Sequence, residues 1–339
     1  MRQPVPFWTS RTTVGVFAQR TKYRPNPLAV TAVKLLGIEG NVVKVRGLDA
    51  LNPGAPVVWE EQPDNVAFEG TNGDVAAAEE AFRKAAYVVE EEFPFNRVAN
   101  AQMEPRACVA EYNKEGRFVL YAGSQGVHRL KGNAAVVFGC DPSKIRVITR
   151  DTGGGFGPRS HLYPEYVLAM WAAKRLGRPV KWTCERTEAF ATDYQGRDQA
   201  FEASLALDAR GKFLAMRVSV ICNTGAHSVM YVPLVKCSEL LTSVYRVPAA
   251  HVRARAALSN TVPTNPYRSA GRPEAMYIME RLIDIACRKH GFDRIDLRRR
   301  NLIPPKAQPY ANPLGMTYDS GDYGKVMDRA LALADWKGF

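Results

Sequence analysis

Three segments of this chain combine residue types and spacings that could do chemistry. In Asp151-Thr152-Gly153-Gly154-Gly155-Phe156-Gly157, glycines without Cβ can turn their amide hydrogens inward and let a ligand approach the backbone. A phosphate, an oxo group or a carboxylate would suit such a loop, and so would a plain structural turn. Gly123-Ser124-Gln125-Gly126, with His128 just beyond, lies between a strand and a helix. There a glutamine amide can donate, while a helix N-terminus favours an anion. Asn265-Pro266-Tyr267-Arg268-Ser269-Ala270-Gly271-Arg272-Pro273-Glu274 carries two arginines able to hold a carboxylate or phosphate. The glycine loop satisfies neither GxGxxG nor GxxxxGK[ST], which speaks against nicotinamide or P-loop chemistry. No GxSxG elbow, HExxH pair or CxxC pair occurs, so a serine hydrolase, a histidine-held zinc or an iron–sulfur cluster in this chain is unsupported.

The elements that must position these loops alternate. Asp74 can cap an alanine-rich helix through Ala86, followed by a strand over 87–93. The runs 107–112 and 117–121 read as a hairpin about Asn113–Gly116, and Gly126–Phe138 has helical spacing. Ile145–Ile148 reads as a strand. After the glycine loop, a helix starts at Pro164 and ends at Gly177, with Lys174 and Arg175 suiting its C-terminal dipole. Val180–Cys184 reads as a strand, and 201–207 with 213–221 as a hairpin about Ala209-Arg210-Gly211. Glu274–His290 is the clearest amphipathic helix, closed by Gly291. Arg298-Arg299-Arg300 reads as the cationic end of a short helix, and Glu90-Glu91-Glu92 as a solvated strand end. The expected class is α+β, mixed sheets with packed helices.

With 339 residues, 46% hydrophobic and 24% charged, the chain is long enough for about two domains with a sizeable core. No apolar run approaches the roughly 18 residues of a membrane span. Without a signal-peptide pattern, and with six scattered cysteines, a cytoplasmic location with reduced thiols is expected. The formal charge is +12. Residues 1–50 hold eight Lys and Arg against only Glu39 and Asp49, so half the excess lies there. Such charge could meet an acidic partner or an anionic cofactor. A basic nucleic-acid-binding module is the rival reading, though no zinc-finger, homeodomain or RNP-type pattern accompanies the charge.

In their order, several segments resemble the molybdenum-binding large subunit of the xanthine dehydrogenase/aldehyde oxidase family, carbon-monoxide-dehydrogenase-like branch. They are Asn96-Arg97-Val98-Ala99, Met103-Glu104-Pro105-Arg106, Gly123–Gly126, Gly153–Gly157, Pro179–Trp182 with Glu185-Arg186, Tyr194-Gln195-Gly196-Arg197, Pro266–Glu274 and Arg298–Leu302. The likeness runs from about Leu48 to the end. It implies a partial chain: 1–47 an atypical basic leader, 48–86 a remnant or linker of a hammerhead-type N-terminal domain, 87–339 the first part of a molybdopterin-binding domain.

The resemblance further implies a molybdenum hydroxylase that oxidises an aldehyde or N-heterocycle with water-derived oxygen. Its cofactor would be molybdenum-molybdopterin, expected as the cytosine dinucleotide, with iron–sulfur clusters and FAD on partner subunits. Carried over, Gln125 hydrogen-bonds the molybdenum's oxygen ligand. Gly154, Gly155, Phe156 and Gly157 wrap metal and pterin through backbone amides. Arg268 faces the substrate, Arg300 contacts the cofactor, and no protein atom ligates the metal directly. Two departures narrow the chemistry. Tyr267–Ala270 lacks the copper-binding cysteine of carbon monoxide dehydrogenases, and Ser160 stands where purine hydroxylases have glutamate. The family's general base would come from a chain supplying the C-terminal half. The alternative is a truncated, non-catalytic remnant.

Overall fold

The computed structural model describes residues 56–338, together with the backbone of three strands nearer the N-terminus. In chain order the elements are β1 (Val14–Val16), β2 (Thr31–Glu39), β3 (Val42–Arg46), β4 (Val66–Gly73), α1 (Val75–Arg83), β5 (Tyr87–Phe95), β6 (Ala107–Tyr112) and β7 (Phe118–Ala122). Then come α2 (Val127–Phe138), β8 (Ile145–Ile148), α3 (Pro164–Leu176), β9 (Val180–Thr183), α4 (Arg186–Thr192), β10 (Gln199–Leu207), β11 (Phe213–Gly225) and α5 (Val232–Leu240). The last are β12 (Ala249–Leu258), α6 (Arg272–His290), α7 (Arg294–Asn301), β13 (Tyr310–Ala311), β14 (Thr317–Tyr318) and α8 (Tyr323–Leu333). The expected α+β class holds.

A five-stranded sheet of order β4-β12-β11-β10-β5 is antiparallel except between β11 and β12. Its pleat sends Phe201, Leu205, Met216, Val218, Val252 and Ala256 to one face, where α5 and α6 cover them. On α6, Ile278, Met279, Leu282, Ile283 and Ala286 are all fully buried, each large side chain stabilising the fold by roughly 1.5–3 kcal/mol. The opposite face is small: Ala78 of α1 meets Ala206, Ala215 and Ala249. Asp74 caps α1, its side chain accepting from the Ala77 amide. Inside the stretch expected as a remnant or linker, β4 thus belongs to the same sheet as β10–β12 and α1 packs on that sheet.

A four-stranded sheet of order β8-β7-β6-β9 carries α2 and α3 on one face, packing Leu130, Ala134, Tyr166 and Met170 against Ala110, Phe118, Leu120 and Ile145. Pro164 opens α3, and Gly177, at φ 64°, ends it in a left-handed turn. Nearer the N-terminus β1, β2 and β3 form an antiparallel sheet of backbone strands. One expectation is corrected. Glu90–Glu92 sits in the middle of β5, not at its end, because β5 is an edge strand whose acids reach solvent while Glu90 accepts from Ser204.

Candidate cofactor site

β7 and β8 run parallel, with Phe118 opposite Ile145 and Tyr121 opposite Ile148, so their C-terminal ends open side by side. Each strand continues into one of the loops singled out above, and open α/β sheets bind ligands at this kind of edge. From β7 the chain passes through Gly123–Gly126 into α2, whose N-terminus has no side-chain cap. From β8 it passes through Thr149–Thr152 into the glycine loop.

The loop has an unusual backbone. Gly154 (φ 108°), Phe156 (φ 54°) and Gly157 (φ 117°) all take left-handed values. At Gly157 a Cβ would fall 1.7 Å from the Pro266 carbonyl oxygen, so glycine is required both for its φ and for this close approach. The outer amides of the loop are spoken for: Gly153 N–H donates to Glu104 Oε2 (2.7 Å), and Gly157 N–H to Gln125 Oε1 (2.6 Å). The Gly157 amide, expected to face the cofactor, is therefore held by protein, because the Gln125 carbonyl reaches it first. The three amides between, on Gly154, Gly155 and Phe156, have no acceptor among the described residues, and neither does Gln125 Nε2.

Arg268 joins this group through its backbone, its N–H donating to the Phe156 carbonyl at 2.9 Å. Its side chain is exposed and its guanidinium has no partner among the described residues. The segment holding it is strained, with Ser269 (φ 72°) and Ala270 (φ 39°) left-handed ahead of Gly271. Arg197 braces it from behind, donating to Glu274 Oε1 (2.9 Å) and to the Arg268 carbonyl (3.2 Å). Glu274 is 1% exposed in the first turn of α6, where a negative charge suits the helix dipole.

Arg300 is not brought to the loop. It stands on α7, donating to the Arg210 carbonyl in the β10–β11 turn, whereas Arg197 and Gln199 mark the other end of β10. A nine-residue strand separates them, roughly 30 Å.

The residues that hold the loop in place were given no site role from sequence. Gln102 Nε2 donates to the Gly155 carbonyl (3.0 Å), the Glu104 amide to the Gly153 carbonyl (3.1 Å), and Arg159 to the Glu104 carbonyl. Arg186 donates to the carbonyls of Gln102 and Met103, at 2.7 Å each. Below them Arg106, wholly buried, donates to Asp193 Oδ1 (2.5 Å), Glu165 Oε2 (2.7 Å) and Thr192 Oγ1 (2.7 Å) under the Tyr163 ring. Burial opposes its charge, but Glu165 and Asp193 outweigh that, holding the proton more tightly than usual. Their sequence signals are the segments Met103–Arg106, which holds Glu104 and Arg106, and Glu185-Arg186; Gln102, Arg159, Glu165, Thr192 and Asp193 had none. Cys108 lies on β6 and Cys184 just beyond β9, and burial pushes both thiols up, Cys108 to about 11 and Cys184 to about 12. Neither is a thiolate near neutral pH.

A family model described as the molybdopterin cofactor-binding domain matches residues 58–302. The chain belongs to this family. It is 32% identical to the carbon monoxide dehydrogenase large chain of Hydrogenophaga pseudoflava, over 91% of this chain and 40% of that one. With the nicotine 6-hydroxylase large subunit of Paenarthrobacter nicotinovorans it shares 33% identity, over 92% and 39%. Quinoline 2-oxidoreductase from Pseudomonas putida 86 superposes with a TM-score of 0.81 at 29% identity, covering 88% of this chain and 39% of that one. The expected likeness to the carbon-monoxide-dehydrogenase-like branch is borne out, and the chain spans about 40% of the length of these relatives. A second model, described as the tRNA-methyltransferase O N-terminal domain, matches residues 2–58. Among the described residues no helix is long and apolar enough to cross a membrane.

The residues present fit a molybdopterin. Three consecutive uncommitted amides and the Gln125 Nε2 donor match a group rich in anionic oxygens. The glycines leave room that Cβ atoms would fill, since one on Gly155 would fall 2.3 Å from Gln125 Cγ.

Proposed function

We propose that this molybdopterin-binding domain forms one wall of the active site of a molybdenum hydroxylase acting on an N-heterocycle or an aldehyde. The observation that carries this reading is the row of free amides at Gly154, Gly155 and Phe156 beside a Gln125 carboxamide whose oxygen is fixed on Gly157. Fixing the oxygen leaves the NH2 as the outward donor, so Gln125 can hydrogen-bond only an acceptor there. When bound, the cofactor supplies the two-electron redox chemistry and the activated oxygen. The chain's own residues bind and orient: the amides hold anionic oxygens, Gln125 sets their register, and Arg268 presents a cation to substrate. A guanidinium beside an electron-poor ring nitrogen or a carbonyl oxygen favours the charge that develops there.

Nicotine and quinoline, named for two of the relatives, are N-heterocycles, which supports that substrate class. The absence of cysteine from Tyr267–Ala270 leaves no thiol beside Arg268 to hold Cu(I), which argues against carbon monoxide as substrate. The remaining parts of the reading are the cytosine dinucleotide form, iron–sulfur and FAD partner subunits, and a chain supplying the general base. Arg300 is left out of the site.

The experiment is molybdenum and pterin analysis of the chain purified with the products of its neighbouring reading frames. About one molybdenum and one pterin per chain is expected. Neither group on a folded chain would overturn the reading in favour of a non-catalytic remnant.

A further inference from the structure

A second feature lies on the other side of α2. A cavity of about 290 Å3 opens where the first turns of α2 meet β8, the outer strand of its sheet. Four cationic or ionisable side chains line it, Arg117, His128, Lys131 and Arg146, with Val127 and Val147 among its apolar walls. His128 and Lys131 are three residues apart and share one helix face, while Leu130 and Ala134 turn into the core. No carboxylate lines the cavity. None of these four side chains makes a hydrogen bond or ion pair among the described residues, and Arg117 Nε is buried without an acceptor.

Four buried or half-buried arginines elsewhere are matched to acids, Arg97 to Asp198, Arg106 to Glu165, Arg197 to Glu274 and Arg298 to Glu280, while Arg255 on β12 shares with Arg117 a buried Nε that lacks an acceptor. Asp141 is held below the usual carboxylate range by its hydrogen bonds to Ser143 and, less strongly, by Lys131 and Lys144, yet it pairs with neither lysine. Gathering like charges in one recess costs energy unless an anion enters, and a buried donor without an acceptor adds to that cost.

We propose that this cavity is a binding site for the phosphate group of an organic phosphate. Phosphate carries close to two negative charges at neutral pH, with oxygens that fit guanidinium forks. The volume lies near the lower end for small-molecule sites. Two sources share this chemistry, a free phosphate ester and the phosphate of a pterin cofactor.

The test titrates the purified full chain, without cofactor, with inorganic pyrophosphate by calorimetry. Saturable one-to-one binding is expected, weakening as salt is added. Arg146→Gln and Lys131→Gln should each weaken it about tenfold, whereas Arg253→Gln, at a distant exposed pair with Glu69, should leave it unchanged. No saturable binding at millimolar pyrophosphate, or equal affinity in parent, Arg146→Gln and Lys131→Gln, would overturn the site. Arg146 is exposed, so its variant tests binding without threatening the fold. Pterin content of reconstituted Arg146→Gln separates the sources: a fall assigns the phosphate to the cofactor, and parent-level content assigns a free ester. Because the titration needs no molybdenum, its failure is distinguishable from failure of the hydroxylase reading.

Discussion

Gln125 Oε1 accepts the Gly157 amide hydrogen at 2.6 Å across 32 residues of chain, tying the loop after β7 to the loop after β8. The bond does two things at once. It anchors the glycine loop, and it fixes which end of the carboxamide is free to donate.

Those two roles separate by substitution. In Gln125→Glu the carboxylate still accepts from Gly157, more strongly for its charge, but the donor is gone and an anion stands where anionic oxygens would bind. Stability should stay within about 1 kcal/mol of the parent while molybdenum content falls about tenfold or more. Gln125→Ala loses the anchor as well and should cost about 0.5–1.5 kcal/mol in urea unfolding. Parent-level molybdenum in Gln125→Glu would remove the donor role.

Two glycines of the loop should fail in different ways. At Gly157 a new Cβ meets backbone, the Pro266 carbonyl, at a φ of 117°. Neither can yield, so Gly157→Ala should destabilise by roughly 2–4 kcal/mol. At Gly155 the obstacle is the exposed Gln125 side chain, which can swing out to solvent. Gly155→Ala should therefore unfold within about 1 kcal/mol of the parent yet bind little cofactor. Denaturant midpoints and metal analysis of both variants check this, and the reverse ordering would show that the loop's space is structural only.

What could be read in advance follows from how local each signal is. Helix α6 announced itself through Ile278, Met279, Leu282 and Ile285 on one face and Gly291 at its end, and β6 and β7 through a hairpin turn. β12 did not, because Ala249–Leu258 is alanine- and arginine-rich and becomes a strand only through non-local pairing with β11 and β4. β4, with two glycines in eight residues, lacks a strand signal for the same reason. At the site, the glycine loop, Gln125 and Arg268 were legible because each is a short pattern between elements. Gln102 and Glu104 brace that loop from about 50 residues away, and Arg197 reaches Glu274 across 77, distances at which spacing carries no information.

Arg106 tests whether the scaffold under the loop is held by charge. Its side chain is fully buried and holds both Glu165 (2.7 Å) and Asp193 (2.5 Å), with Arg159 Nη1 a longer 3.9 Å from Asp193. Arg106→Met keeps the volume but leaves two carboxylates short of their cation, so a loss of about 3–5 kcal/mol is expected in urea unfolding. Arg106→Lys should recover little of that loss, since one ammonium cannot span Nε, Nη1 and Nη2 partners together. An unchanged midpoint in Arg106→Met would show that Asp193 and Glu165 find other partners.

His161 gives the fold an acid limb. It is 7% exposed, its Nε2 has no hydrogen-bond partner, and burial first, then Arg129, holds its imidazole below the ordinary 6.5, with Asn265 pulling weakly the other way. His227 is depressed by burial too. As pH falls through 6.5, the unfolded chain takes up protons that the folded histidines refuse, so stability drops until the folded groups also protonate. Above that range the two states hold these sites equally deprotonated, and the contribution is constant. Urea midpoints should therefore be flat from pH 8 to about 7 and decline towards pH 5. His161→Gln should shallow that decline, with His227 supplying part of what remains. An identical decline in parent and variant would place its source elsewhere, because removing a site that titrates only on unfolding must remove its share of the slope.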